Sequence, residues 1–166
     1  MTKIINGIDA TGQLFINDQD AWLTWGAYLV GESEDNLLLP ASSKPYTKND
    51  FRSQAGQQIF IANPKDESRD VQIELCIISS SRSEYLTAYK NLVKELKSGL
   101  VVMYVPLLDE AYNLTEPSFL NLGYYEWYGK LSVRFNEYYS VPVIFEILAT
   151  EAENPIITED GEIILI

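Results

Sequence analysis

A period of two constrains this chain more than any other feature. In Val71-Gln72-Ile73-Glu74-Leu75-Cys76-Ile77 every odd position is aliphatic and the even positions open polar. In extended backbone that places the aliphatic set on one face, as a strand with one side on a core requires. Leu131, Val133 and Phe135 alternate with Ser132, Arg134 and Asn136 in the same way, and Val141, Val143, Phe145 and Ile147 repeat it. Pro142 is tolerable there near a strand start or on a sheet edge. Residues 100–105 are continuously apolar and end at Pro106, which predicts a strand covered on both faces. Shorter candidates are 14–16, 27–30, 37–39, 58–61 and 112–114.

Helical signals converge on one stretch, about 83–98. Ser81 and Glu84 have the spacing of a capping box, in which the hydroxyl takes an orphan N–H and the carboxylate returns to the cap's own amide. Leu86, Tyr89, Val93 and Leu96 recur at helical spacing, and Gly99 suits a left-handed stop. This helix joins the strand around 71–79 to the strand at 100–105. The fold class expected is therefore mainly β, a β-sandwich or split barrel, with one flanking α-helix. A length of 166 residues fits one domain of this kind, assigned to 1–150, with 151–166 as a hairpin extension turning at Asp160-Gly161. The polar stretch 40–68 is a long excursion from the sheet, and long loops in compact domains are usually functional.

Composition removes several classes of function. The chain has no histidine, so Ser-His and Cys-His nucleophile systems and His-based metal sites are absent. Its single cysteine, Cys76, leaves no internal disulfide and no cysteine cluster, and its apolar surroundings predict burial. A formal charge of −12 disfavours binding to phosphate backbones or anionic membranes. No stretch is long and apolar enough to span a bilayer, and the first residues lack a leader pattern, so a cytoplasmic site of synthesis is expected. Phosphate-binding glycine motifs are missing. Asp18, Asp20 and the run Glu32-Ser33-Glu34-Asp35-Asn36 offer oxygen ligands but lack calcium-loop spacing, and read as solvated turns. No catalytic, metal-binding or cofactor-binding residue is assigned.

The densest binding signal is Tyr124-Tyr125-Glu126-Trp127-Tyr128. As continuous strand it puts Tyr124 and Tyr128 on one face with Glu126, and Tyr125 with Trp127 on the other. Such aromatics suit a protein interface, a core or a carbohydrate platform.

Several spaced residues carry a family likeness. Asp20-Ala21-Trp22, Trp25-Gly26-Ala27-Tyr28-Leu29, Leu37-Leu38-Leu39-Pro40, Lys44-Pro45-Tyr46 and Asn49-Asp50-Phe51-Arg52 come first in order. Asn63-Pro64, Arg69-Asp70-Val71, Lys130-Leu131-Ser132-Val133-Arg134-Phe135-Asn136-Glu137 and Asn154-Pro155-Ile156-Ile157-Thr158-Glu159-Asp160-Gly161 follow. The collinear set resembles tail proteins from phages and prophages of Bacteroidetes-type hosts, and that family resembles the distal tail and tail-tube group. The resemblance implies a structural, non-enzymatic subunit of the virion tail, made in the host cytoplasm. It also implies a hexameric ring between tail tube and tip, with the excursion reaching a neighbouring subunit, and no room for an added carbohydrate-binding module. Lys44, Tyr46, Asn49 and Arg52 in the excursion, Tyr125 and Trp127 in the aromatic run, and Ile163, Ile164 and Ile166 at the end are the interface residues expected. The ring would pass DNA without binding it, and its acidity would serve that end if carboxylates lined the lumen. A carbohydrate-binding β-sandwich module using Tyr125, Trp127 and Tyr128 is the alternative, and a two-carboxylate glycosidase is the enzymatic one.

Overall fold

The computed structural model describes residues 3–49, 58–60 and 65–137. The expected strand 141–147, the C-terminal hairpin and the boundary near residue 150 lie outside them. The chain is mainly β. Its strands are β1 (Phe15–Ile16), β2 (Gln19–Asp20), β3 (Ala27–Val30), β4 (Thr47–Asn49), β5 (Gln58–Phe60), β6 (Arg69–Ile78), β7 (Val101–Val105), β8 (Glu110–Tyr125) and β9 (Tyr128–Glu137). The helices are α1 (Ala21–Trp25), α2 (Ser33–Leu38) and α3 (Arg82–Leu96). Seven strands form one curled antiparallel sheet in the order β2-β1-β7-β8-β9-β6-β3, shaped as a half-barrel.

The period-two segments are the centre of that sheet. β6 pairs with β9 over its whole length, Arg69 opposite Glu137 and Ile78 opposite Tyr128. Val71, Ile73, Leu75 and Ile77 meet Leu131, Val133 and Phe135 on one face, all buried, and α3 covers them with Tyr85, Leu92 and Leu96. Burying side chains of this size is worth about 1.5–3 kcal/mol each, so this layer holds the domain together. A smaller cluster of Ile5, Trp22, Cys76 and Ile78 occupies part of the other face. Cys76 is buried there, as its context predicts, beside Tyr28. Burial first, then Cys76, pushes the Tyr28 phenol up to about 12.

Helix α3 starts as expected, with the Ser81 hydroxyl accepting from the Glu84 amide at 3.3 Å. The Glu84 carboxylate, however, accepts from the amide of Ser80 and not of Ser81. The buried stripe is also rotated from the expected one. Tyr85, Leu92 and Leu96 are fully covered, whereas Leu86 is 37% exposed. The helix crosses from β6 to β7, and β8 and β9, later in the chain, fill the gap between those strands.

Four further expectations need correction. β7 is not covered on both faces, because Val101, Met103 and Val105 are buried while Tyr104 is 37% exposed. Residues 37–39 are not a strand; Leu37 and Leu38 end α2, with Leu37 turned into the core. The acidic run before it is helix, not a solvated turn, since the Ser33 hydroxyl is buried and ties α2 to Val30 and Glu74. Asp20 likewise does structural work, accepting from the Leu23 amide as the cap of α1 and from the Gly12 amide. Asn17 and Asp18 form the two-residue turn between β1 and β2, both at positive φ.

Candidate interaction surfaces

The described part of the excursion is a two-stranded arm. β4 and β5 pair with each other, Thr47 opposite Phe60 and Asn49 opposite Gln58, and with no strand of the large sheet. Its root is closed by a bridge between Ser43 and Asp66, with the Lys44 amide donating to Lys65 at 2.7 Å and the Glu67 amide to Ser42 at 2.8 Å. Lys44 is exposed at that root and Tyr46 is 38% exposed just beyond it. Asn49 ends β4. Arg52, Ile163, Ile164 and Ile166 lie outside the described residues.

The aromatic run is a hairpin tip. Tyr125 pairs directly with Tyr128, leaving Glu126 and Trp127 as a two-residue turn, with Glu126 at φ 52°. This corrects the face assignment, because residues flanking a two-residue turn oppose each other across the ladder and share a face. Tyr125 and Tyr128 stack at 5.0 Å, and Trp127 tilts against Tyr128 at 5.0 Å. Tyr124 faces the other way, 5.2 Å from Tyr85 of α3. Tyr125 is 59% exposed and Trp127 40% exposed, so the tip presents both expected residues to solvent.

Below the tip lies a surface that the sequence reading missed. β7 pairs only with Glu110–Leu114 of β8, whereas β9 pairs with β8 from Leu114 to Tyr125. The upper half of β8 therefore has one bare edge among the described residues. Leu120, Leu122 and Tyr124 are exposed along it, and Phe119 lies under the Lys97 ammonium at 5.2 Å. Outside the cluster of Ile5, Trp22, Cys76 and Ile78, the sheet face away from α3 is polar. Asp70, Glu116 and Arg134 border one small cleft there, and Glu74 pairs with Lys130 at 3.8 Å. A separate cleft of about 500 Å³ beside the start of α3 is lined by Lys3, Trp25, Ser79, Ser83 and Asn91, with Glu84 its one carboxylate.

Tyr85 anchors α3 over the hairpin at a cost. Its ring is buried, its hydroxyl has no hydrogen-bond partner among the described residues, and burial pushes the phenol up to about 12. An unpaired buried hydroxyl costs about 1–3 kcal/mol. Tyr85→Phe is accordingly expected to stabilise the protein by about 1 kcal/mol in urea titrations. The raised phenol pKa implies stability fully present below pH 10 and lost as pH rises toward about 12. The variant should remove part of that alkaline loss, and an unchanged alkaline transition would refute the assignment.

No protein-family model matches the chain, and no curated protein sequence matches it. Among solved structures, it is similar to the Dit (gp 19.1) protein of phage SPP1, described as a paradigm of hub adsorption apparatus in Gram-positive infecting phages. The TM-score is 0.47 with 11% identity, over 75% of this chain and 49% of that one, so the chain matches about half the length of its neighbour. Among the described residues, no helix is long and apolar enough to cross a membrane.

Proposed function

We propose that this chain is a structural subunit of a phage or prophage tail, part of a distal ring or baseplate that joins the tail tube to the tip. The observation that carries the reading is the arm. A two-stranded ladder, bridged at its root and paired with no strand of the large sheet among the described residues, is what a subunit needs to reach a neighbour in a head-to-tail ring. The collinear tail-protein residues frame it, with Leu37-Leu38-Leu39-Pro40 on the approach and Arg69-Asp70-Val71 on the return. The work is binding and not chemistry. The cleft beside α3 offers a lone carboxylate, already engaged by the Ser80 amide, where a glycosidase needs two converging acids. In this reading the partners are copies of the chain and the tube and tip proteins, with DNA passing and not bound.

Gold labelling of the chain on purified phage particles tests the reading. Label at the distal end of tails is expected, and particles that lack the chain would refute it. A second reading is favoured by the exposure of Tyr125 and Trp127: a carbohydrate platform at the hairpin tip. It requires glycan binding by the isolated protein that Trp127→Ala abolishes.

A further inference from the structure

The basic residues of this acidic chain are unevenly placed. Arg82, Lys90, Lys94 and Lys97 are four of its twelve, and all are exposed on α3 or at its C-terminal cap. With Leu86 they are spaced by four, four, four and three residues, which at 3.6 residues per turn keeps them on one flank. The helix's two acids, Glu84 and Glu95, lie on the other flank, held by the Ser80 amide and the Asn17 side chain. Because Lys97 sits over Phe119, the basic flank faces the bare edge of β8. Leu86, Leu122 and Tyr124 thus form an apolar row bordered by cations, and none of those cations is ion-paired among the described residues.

An opposite surface exists on the same chain. At the level of Leu122 the sheet is four strands wide, with Leu29 of β3 at its other edge, through Leu75 and Leu131. On that side α2 runs along β6 where β3 ends, Ser33 and Asn36 bonding Glu74 and Gln72; Glu34 and Asp35 adjoin Leu38 and Leu39, which are 56% and 65% exposed, and Glu32 stands at the helix start. One side of the sheet thus ends in apolar residues ringed by cations, and the other in apolar residues ringed by carboxylates. Either patch meeting its own copy across a two-fold axis would set like charges together, whereas the two are complementary to each other head to tail.

We infer that copies of this chain associate through these patches, the α3/β8 flank of one receiving the α2 corner of the next. The inference deepens the assembly role proposed above by naming the surfaces that meet. Full-length protein with Arg82→Glu, Lys90→Glu and Lys94→Glu has two acidic patches, and Glu32→Lys with Asp35→Lys has two basic ones. Each alone should self-associate about tenfold or more weakly than the parent in sedimentation velocity. An equimolar mixture should recover parental association, because both contacts between the two variants are again complementary. That recovery also shows both to be folded; Glu32→Lys with Glu34→Lys replaces the second variant if circular dichroism finds it melted. Raising salt from roughly 20 to roughly 500 mM should weaken the parent. Variants that associate like the parent, or a mixture that gains nothing, would overturn this interface while leaving the tail assignment to the labelling result. A parent monomeric up to roughly 1 mM, where even weak contacts are populated, would overturn it too.

Discussion

Gly26→Ala should remove a large share of the stability of this fold. Gly26 ends α1 at φ 66°, its amide donating to Trp22 while its carbonyl receives the amide of Ile78 at 2.9 Å. An added Cβ would stand 2.2 Å from the Ile78 carbonyl oxygen, a backbone atom held in β6. The left-handed conformation alone costs an alanine about 1–2 kcal/mol. The overlap forces β3 away from β6 besides, for an expected total above about 4 kcal/mol against the 5–15 kcal/mol of a typical domain. Gly12→Ala isolates the first contribution, since Gly12 has φ 76° and nothing within 4 Å of the added carbon. Urea unfolding of both should separate them by several kcal/mol, and equal losses would show that the close approach of Gly26 to Ile78 does not matter.

Arg69→Ala is expected to cost about 3–5 kcal/mol, the toll of stranding one partner of a buried ion pair. The Arg69 guanidinium binds the Glu137 carboxylate, with side chains 13% and 10% exposed, and also donates to the Leu37 carbonyl at 2.7 Å. It therefore ties the end of α2 to β6 and β9 at once. Arg69→Met combined with Glu137→Leu should recover most of the loss, because a volume-matched apolar pair carries no desolvation penalty. The exposed pair of Lys130 and Glu74, at 3.8 Å, should be worth at most about 1 kcal/mol in a double-mutant cycle. A loss at Arg69 no larger than that would mean water solvates the site in solution.

Legibility of the fold followed burial. Over Arg69–Leu75 and much of β9, one face lies on the core and the other toward water, so the alternation survives in the residue order. β8 hid because it does not alternate regularly. Register shifts between Thr115 and Ser118, and again between Phe119 and Asn121, change which residues face inward, and Glu116 sits at φ 52°. Only its first buried pair, Tyr112 and Leu114, showed as a strand. For α1 the signals were present in Asp20 and Gly26, a cap at each end, but five residues are too few to display a helical period. The end of α2 resembles a strand locally and is decided by Ser33 bonding to a residue 41 positions away. The surfaces divided likewise. The hairpin tip was legible from aromatic density, whereas the apolar row of β8 depends on where β7 stops, a length that no local pattern records.

The two-stranded ladder bears on assembly. Among the described residues β4 and β5 share ladder bonds with each other alone, so each keeps an outer edge of backbone N–H and C=O groups. A neighbouring strand that added to such an edge would extend the ladder and leave the pairing of the seven-stranded sheet as it is.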